Sequence, residues 1–483
     1  MNAIPFALLL VTPFDSAIFQ GKSCLSTSYY GTYRDGPTYQ AVYAPEQTCI
    51  DNWVSDFAAD SATISAAFQP VQQLVWVEEE SVDEKLTSQA VPFGSGLDSF
   101  LERLSLSSDQ SYHGLDQALE DHEQDVLADS QQERQYELLY RSPHAALLSV
   151  SHDKAHTIDT LVPRFWKSTI LPTTPVEYIP VPSYAAQRIR DVTRNVRFDP
   201  VVASVVNSLS VTQMKNDIRF LTGEDGKSGI VSRHSFAEGS RTAASWLKER
   251  IEDTGAVCEL KPFLSGYAPN VVCRYEAIVN TSETVLISAH YDSRGSFGST
   301  RAPGGNDDGS GTTGILSIAR AIGAKGVKFH INVELVLFAG EEQGLLGSKA
   351  YSRELGAAKS NLTLVIQADM TAYHALDEPS QLGLPKTIGS PDAADLVSAI
   401  AGIYSPALVV GYTYVCCSDH QSFHEQGFPA TQLFERAGPI FDPMYHNSGD
   451  LSDREGYDFE QLKAIAKVQF ATVLHVAGFD IPK

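Results

Sequence analysis

Residues 334–348 read ELVLFAGEEQGLLGS, and the fold of the chain turns on this stretch. Leu335 to Ala339 form a short apolar run of buried-strand type that stops at Gly340, where the backbone can turn freely. Glu341 and Glu342 follow, and a glycine-punctuated segment then restarts as a helix. Like charges on neighbouring residues repel, and burying either without a partner costs several kcal/mol. An isolated acid pair of this kind is a solvated loop. What changes the reading is the company it keeps.

Upstream, TVLISAHYDS sets His290 and Asp292 at the end of another apolar strand, Thr284–Ser288. GGNDDGSG then carries Asp307 and Asp308 in a glycine-rich turn, ahead of a helix from Gly311 to Ile322. Downstream, NLTLVIQADM ends a third apolar strand on Asp369, and YHNSGD offers His446. Helical stretches such as SVTQMKNDIRFLTG, GSRTAASWLKERIEDTG and YDFEQLKAIAKVQFATVLHVAG alternate with the strands. The class is therefore α/β, a mostly parallel central sheet with helices on both faces. Ligands collect at the carboxyl ends of strands in such sheets. His290, Asp307, Glu342, Asp369 and His446 make a nitrogen and oxygen donor set suited to zinc, with one carboxylate left over as a base.

These residues resemble the dizinc aminopeptidases of the bacterial and fungal leucyl aminopeptidase type, which have a zinc exopeptidase fold. HYDS, GGNDDGSG, AGEEQGLLGS, QADM, CSDHQSF and YH follow one another in the family's order, and the likeness covers residues 197–483. The resemblance implies two Zn2+ per chain. Asp307 would bridge them, His290 and Asp369 would complete one site, and Glu342 and His446 the other. Asp292, two residues past His290, is placed to accept the imidazole's remaining N–H and fix its tautomer. Asp308 reads as the cap of the helix that follows. Glu341, a non-ligand carboxylate beside a ligand, is the expected general base, and Tyr445 is a candidate donor to the oxyanion.

The activity implied is removal of N-terminal residues from peptides or proteins, with apolar first residues preferred. Glutaminyl cyclase-like chemistry, another zinc amidohydrolase or carboxypeptidase, and a non-catalytic scaffold of the same fold are the alternatives. The complete donor set counts against a one-zinc cyclase and against a scaffold that has lost its ligands. One position departs from the family. Bacterial relatives pair the cysteine matching Cys417 with one four positions earlier, where this chain has Thr413. Cys417 could instead join Cys416 or stay free, which affects the loop that shapes the side-chain pocket.

At 483 residues the chain exceeds one ordinary domain. With 59 acidic against 36 basic side chains, a formal charge of −23 argues against nucleic acid or an anionic membrane as partner. The apolar run Ile4–Val11 is too short to span a bilayer and suggests a signal peptide over residues 1–20. Residues 21–170, which include an acidic part with helical leucine spacing up to Arg141, read as an α+β propeptide or accessory domain. Such a region can act as an intramolecular inhibitor or chaperone. PTTPVEYIPVP and the basic RIRDVTRNVR form a linker over 171–196, ahead of the catalytic domain at 197–483. Cys258 and Cys273 lie on two β-like runs and suit a hairpin disulfide, Cys24 and Cys49 could pair, and sequons stand at Asn280 and Asn361. Together these point to a secreted protein. His113, His122, His144, His152 and His156 come without ligand spacing and carry no expected metal role.

Overall fold

The computed structural model describes residues 8–20, 23–54, 62–66, 72–87, 96–106, 136–296, 299–415 and 417–482. His113, His122, most of the acidic stretch before Tyr136, and Cys416 lie outside the described residues.

From Leu8 the opening apolar run is a strand. β1 (Leu8–Pro13), β2 (Tyr29–Asp35), β3 (Thr38–Tyr43) and β4 (Thr63–Ala66) form a sheet of order β2-β3-β1-β4, with β1 antiparallel to both its neighbours. Leu9 and Val11 pack into one apolar cluster and Leu10 into another. A strand covered on both faces reads as an unbroken apolar run, and Leu8–Pro13 is the inner strand of this sheet.

A second antiparallel sheet contains β5 (Gln73–Glu79), β6 (Tyr136–Arg141), β7 (Ala145–Val150) and β8 (Trp166–Ile170), in the order β6-β7-β5-β8. The helical expectation for Tyr136–Arg141 is thus corrected to a strand. Pairing with β7, and Tyr140 stacking 5.4 Å from the Trp76 ring, outweigh the leucine spacing. Tyr33 stacks near the same indole at 5.5 Å, so Trp76 ties the two sheets together.

The expected linker is also shorter than 171–196. Extended chain ends at Pro182, and Ser183–Asn195 is a helix. Ile189, Val192 and Val196 fall on one face and enter the main core, while Arg190 pairs with Asp392 at 2.9 Å.

The remaining chain builds β9 (Val257–Lys261), β10 (Asn270–Tyr275), β11 (Glu283–His290), β12 (Lys328–Phe329), β13 (Asn332–Phe338), β14 (Asn361–Ala368), β15 (Gln381–Pro385), β16 (Val409–Thr413), β17 (Ala430–Leu433) and β18 (Phe479–Asp480). The six-stranded central sheet runs β17-β14-β11-β13-β10-β9. Its first four strands are parallel, and β10 and β9 are antiparallel additions. Helices Glu238–Glu252, Gly309–Lys325, Pro391–Tyr404 and Phe459–Ala477 cover one face. Leu346–Ala357 and His420–His424 cover the other.

Cys258 and Cys273 are bonded across directly opposite positions of β9 and β10, and Cys24 is bonded to Cys49. Cys417 is also a disulfide cysteine. Asn280 and Asn361 are both exposed. Among the described residues no helix is long and apolar enough to cross a membrane.

Candidate metal centre and active site

Because β11, β13 and β14 are parallel neighbours, their carboxyl ends open on one edge of the sheet. His290 ends β11, Glu341 and Glu342 follow β13, and Asp369 follows β14. Asp307 comes from the turn before helix Gly309–Lys325, and His446 from the loop after β17. All five sequence-expected ligands come together, each at most 9% exposed.

Asp307 stands between the two imidazoles, and ligand atoms of His290, Asp307 and Glu342 also lie within 4.8 Å of one another. Asp307 Oδ1 lies 3.3 Å from His290 Nε2, while Oδ2 lies 3.2 Å from His446 Nε2. Asp369 Oδ1 is 3.6 Å from His290 Nε2, and Glu342 Oε2 is 3.0 Å from His446 Nε2. Buried carboxylates at this density need positive charge. Burial lowers His446, but Glu342 and Asp307 carry it up to about 9. Burial likewise lowers His290, which Glu341 and its other acidic neighbours raise well above the usual imidazole value. His290 Nε2 and Glu342 Oε1 are buried with no hydrogen-bond partner. Unpartnered donor atoms facing a shared carboxylate fit divalent cations of the zinc type.

Asp308 also approaches His290 and Asp369, but its oxygens are spent on backbone. Oδ1 accepts from Gly311 N at 2.8 Å and Met370 N at 3.2 Å, and Oδ2 accepts from His290 N at 3.1 Å. It caps the helix, as expected from sequence. Asp292 approaches His290 chiefly through its backbone. His290 Nδ1 donates to the Asp292 backbone carbonyl at 3.2 Å, with Oδ1 at 3.5 Å. The Asp292 carboxylate instead accepts from Ser235 Oγ at 2.9 Å and Glu341 N at 3.4 Å, tying the His290 strand to the acid pair. Asn306 N and Asp307 N both donate to the buried Asp450 carboxylate, which fixes the turn that presents Asp307. Met370 and His446 flank the centre with φ of 49° and 50°. Non-glycine residues hold that left-handed conformation only where their surroundings over-determine it.

Glu341 Oε1 accepts from Lys167 Nζ at 2.7 Å, and both side chains are buried. Burial alone would lower the lysine, but Glu341, Glu80 and Glu342 outweigh it and keep the ammonium charged. Met370, Val415, Phe434 and Ile440 line the apolar side of the adjoining cavity. Its volume of about 20 Å³ has room for roughly one water. Tyr445 also lines it, its ring stacked on His446 with centroids 3.8 Å apart. A larger cleft of about 530 Å³ beside helix Ser183–Asn195 lies away from this centre.

Lys167 and Glu80 were not anticipated from sequence. A charged residue inside the apolar run RFWKSTIL is the one local signal for Lys167. Arg294, immediately after HYDS, was also missed: it lies 3.1 Å from His446 Nδ1 and donates to Trp166 O at 2.8 Å.

Comparison with known proteins places the same residues within a family match. The profile of peptidase family M28 matches residues 270–473. Leucine aminopeptidase 1 of Sclerotinia sclerotiorum is 30% identical over 276 residues, which cover 53% of this chain and 68% of that protein. Leucine aminopeptidase 1 of Grosmannia clavigera is 28% identical over 306 residues, covering 59% and 73%. The LapA aminopeptidase of Legionella pneumophila superposes with a TM-score of 0.56 at 18% identity, over 72% of this chain and 94% of that one. LapB of the same organism gives 0.56 at 18%, over 71% and 95%. These two share the fold.

Proposed function

Because the chain belongs to peptidase family M28, we propose that it is a zinc-dependent aminopeptidase that removes apolar residues from peptide N-termini. The observation that carries this reading is Asp307, whose two oxygens face two separate imidazoles. His290, Asp307 and Asp369 would hold one zinc, and Asp307, Glu342 and His446 the other. When bound, the ions supply Lewis acidity to the scissile carbonyl and acidify water in the site.

Glu341 takes the proton of the attacking water and hands it to the leaving amine. Asp292 positions the base, since its carboxylate accepts from Glu341 N. Tyr445 donates to the oxyanion. Asp369 and Glu341 are the acids nearest to where a substrate's α-ammonium must sit. The apolar lining of Met370, Val415, Phe434 and Ile440 supports the preference for an apolar first residue. Disulfides between Cys24 and Cys49 and between Cys258 and Cys273 favour an oxidising, extracellular setting. Within residues 21–170, the part that carries Lys167 covers the site.

Zinc-loaded protein and a panel of peptides, free or acetylated at the first residue, test the activity. Mass spectra of a timed digest should show free-amino peptides shortened one residue at a time and acetylated ones untouched. Loss from the carboxyl end, or cuts inside acetylated peptides, would refute aminopeptidase action.

A further inference from the structure

Ser151 caps a single helical turn, His152–Ala155, and His156 continues it with φ −77° and ψ −13°. His152 and His156 therefore stand four positions apart on one face of the turn, the spacing at which two helical histidines hold one ion. Sequence alone assigned the pair no metal role, because nothing in the letters around it marks the turn as helical. In the structure their Nε2 atoms are 3.2 Å apart, with the rings edge to face at 87° and centroids separated by 4.5 Å. Two nitrogens bound at about 2.0–2.1 Å to one ion lie about 2.8–3.4 Å from each other, from right-angled to tetrahedral geometry. The observed separation falls inside that bite.

A metal-binding imidazole is oriented through its other ring nitrogen. His156 Nδ1 lies 2.9 Å from Tyr267 Oη. With Nδ1–H donating to that oxygen, His156 Nε2 turns its lone pair toward His152. The Phe236 and Tyr267 rings stand edge-on to His156, with centroids at 6.1 and 5.7 Å, and hold its plane. Both histidines are half-buried, so solvent reaches the pair and can fill the remaining coordination positions. Neither lines the cavity at Glu341. We propose that His152 and His156 form a separate site for one divalent copper or nickel ion, with water completing a tetragonal shell. Imidazole and water suit these two ions in that geometry, and affinity along the first-row series peaks at copper. The ion pins the turn in the orientation that meets Tyr267 of the catalytic body. The assignment is independent of the chemistry at the catalytic centre.

The test uses the zinc-loaded full chain in four forms: wild type, His152→Gln, His156→Gln and Tyr267→Phe. Each is titrated calorimetrically with Cu2+, and copper and zinc are counted on the same samples after dialysis. Wild type should take up one copper while keeping its zinc. Tyr267→Phe, which removes only the orienting hydroxyl, should bind copper roughly 10–100-fold more weakly, the usual worth of such a partner. Either glutamine variant should lose more. Copper in excess of its Kd should raise the melting temperature of wild type and leave that of the glutamine variants unmoved. Melts without copper report whether each variant folds, and one folded glutamine variant is enough to decide. Copper bound equally by wild type and a folded glutamine variant would overturn the site and leave the contact as a hydrogen bond between two rings. Copper taken up only as zinc leaves, or no copper bound by wild type, would overturn it as well.

Discussion

At Asp307 each carboxylate oxygen faces a different imidazole, and at the neighbouring acid pair the two residues divide by partner. Glu342 faces His446 at 3.0 Å, whereas Glu341 faces Lys167 at 2.7 Å. The division predicts opposite failures. Glu341→Gln should retain both zinc ions and lose kcat by roughly 10²–10⁴-fold or more, the usual worth of a general base. Glu342→Gln should lose an ion. Metal content and rate measured on the same samples decide this, and identical zinc and identical residual rates in the two variants would overturn it. The clustering of the five candidate ligands was legible in the sequence because three end apolar strands and two stand in marked turns or loops. Lys167 was not, because it meets Glu341 across 174 positions of chain. No spacing encodes a contact made by docking one sheet edge against another.

Among elements, the loop carrying His234 and the short turn carrying Asp159 form a titratable latch between the N-terminal region and the catalytic body. Burial lowers His234 but Asp159 outweighs it, so the imidazole is held above its usual value. Burial raises Asp159 but His234 outweighs it, so the carboxyl is held low. The histidine's contribution is full below its free value of ~6.5 and fades as pH rises through the raised value. The aspartate's is present above ~3.9 and fades as pH falls through the depressed one. The latch is therefore strongest between about pH 4 and 6.5. Wild type should exceed His234→Gln by roughly 3 kcal/mol in that window, the scale of a broken buried pair, and the gap should narrow above it. Thermal melts of both proteins across the pH range check this, and a constant gap would disprove it. Elements were less legible than ligands where two patterns overlap. Tyr136–Arg141 has leucines at helical spacing and still pairs as a strand. Ser183–Asn195 hides a helix behind a run of arginines, of which Arg188 and Arg190 find partners distant in sequence.

For the whole molecule, the shared carboxylate predicts two zinc ions per chain by elemental analysis. Chelation should abolish activity and also lower the melting temperature, since a ligand at a hundred times its Kd stabilises by roughly 2.7 kcal/mol. A fully active preparation with one ion would overturn the count. The parallel core was readable in the sequence, whereas the N-terminal sheets were not, because a strand buried on both faces carries no alternation to mark it. That strand has a consequence for any shortened form of the protein. β1 lies between β3 and β4, so a chain that starts at residue 21 would face an open gap two strand spacings wide, roughly 9–10 Å, edged by unpaired backbone N–H and C=O groups. Such a gap invites a donor strand from outside. The shortened chain should self-associate, and a synthetic peptide of residues 4–14 should fill the gap in trans and return it to a monodisperse state. Light scattering with and without the peptide reads this directly. A shortened chain that is already monodisperse and melts like the full one would show that β1 is dispensable.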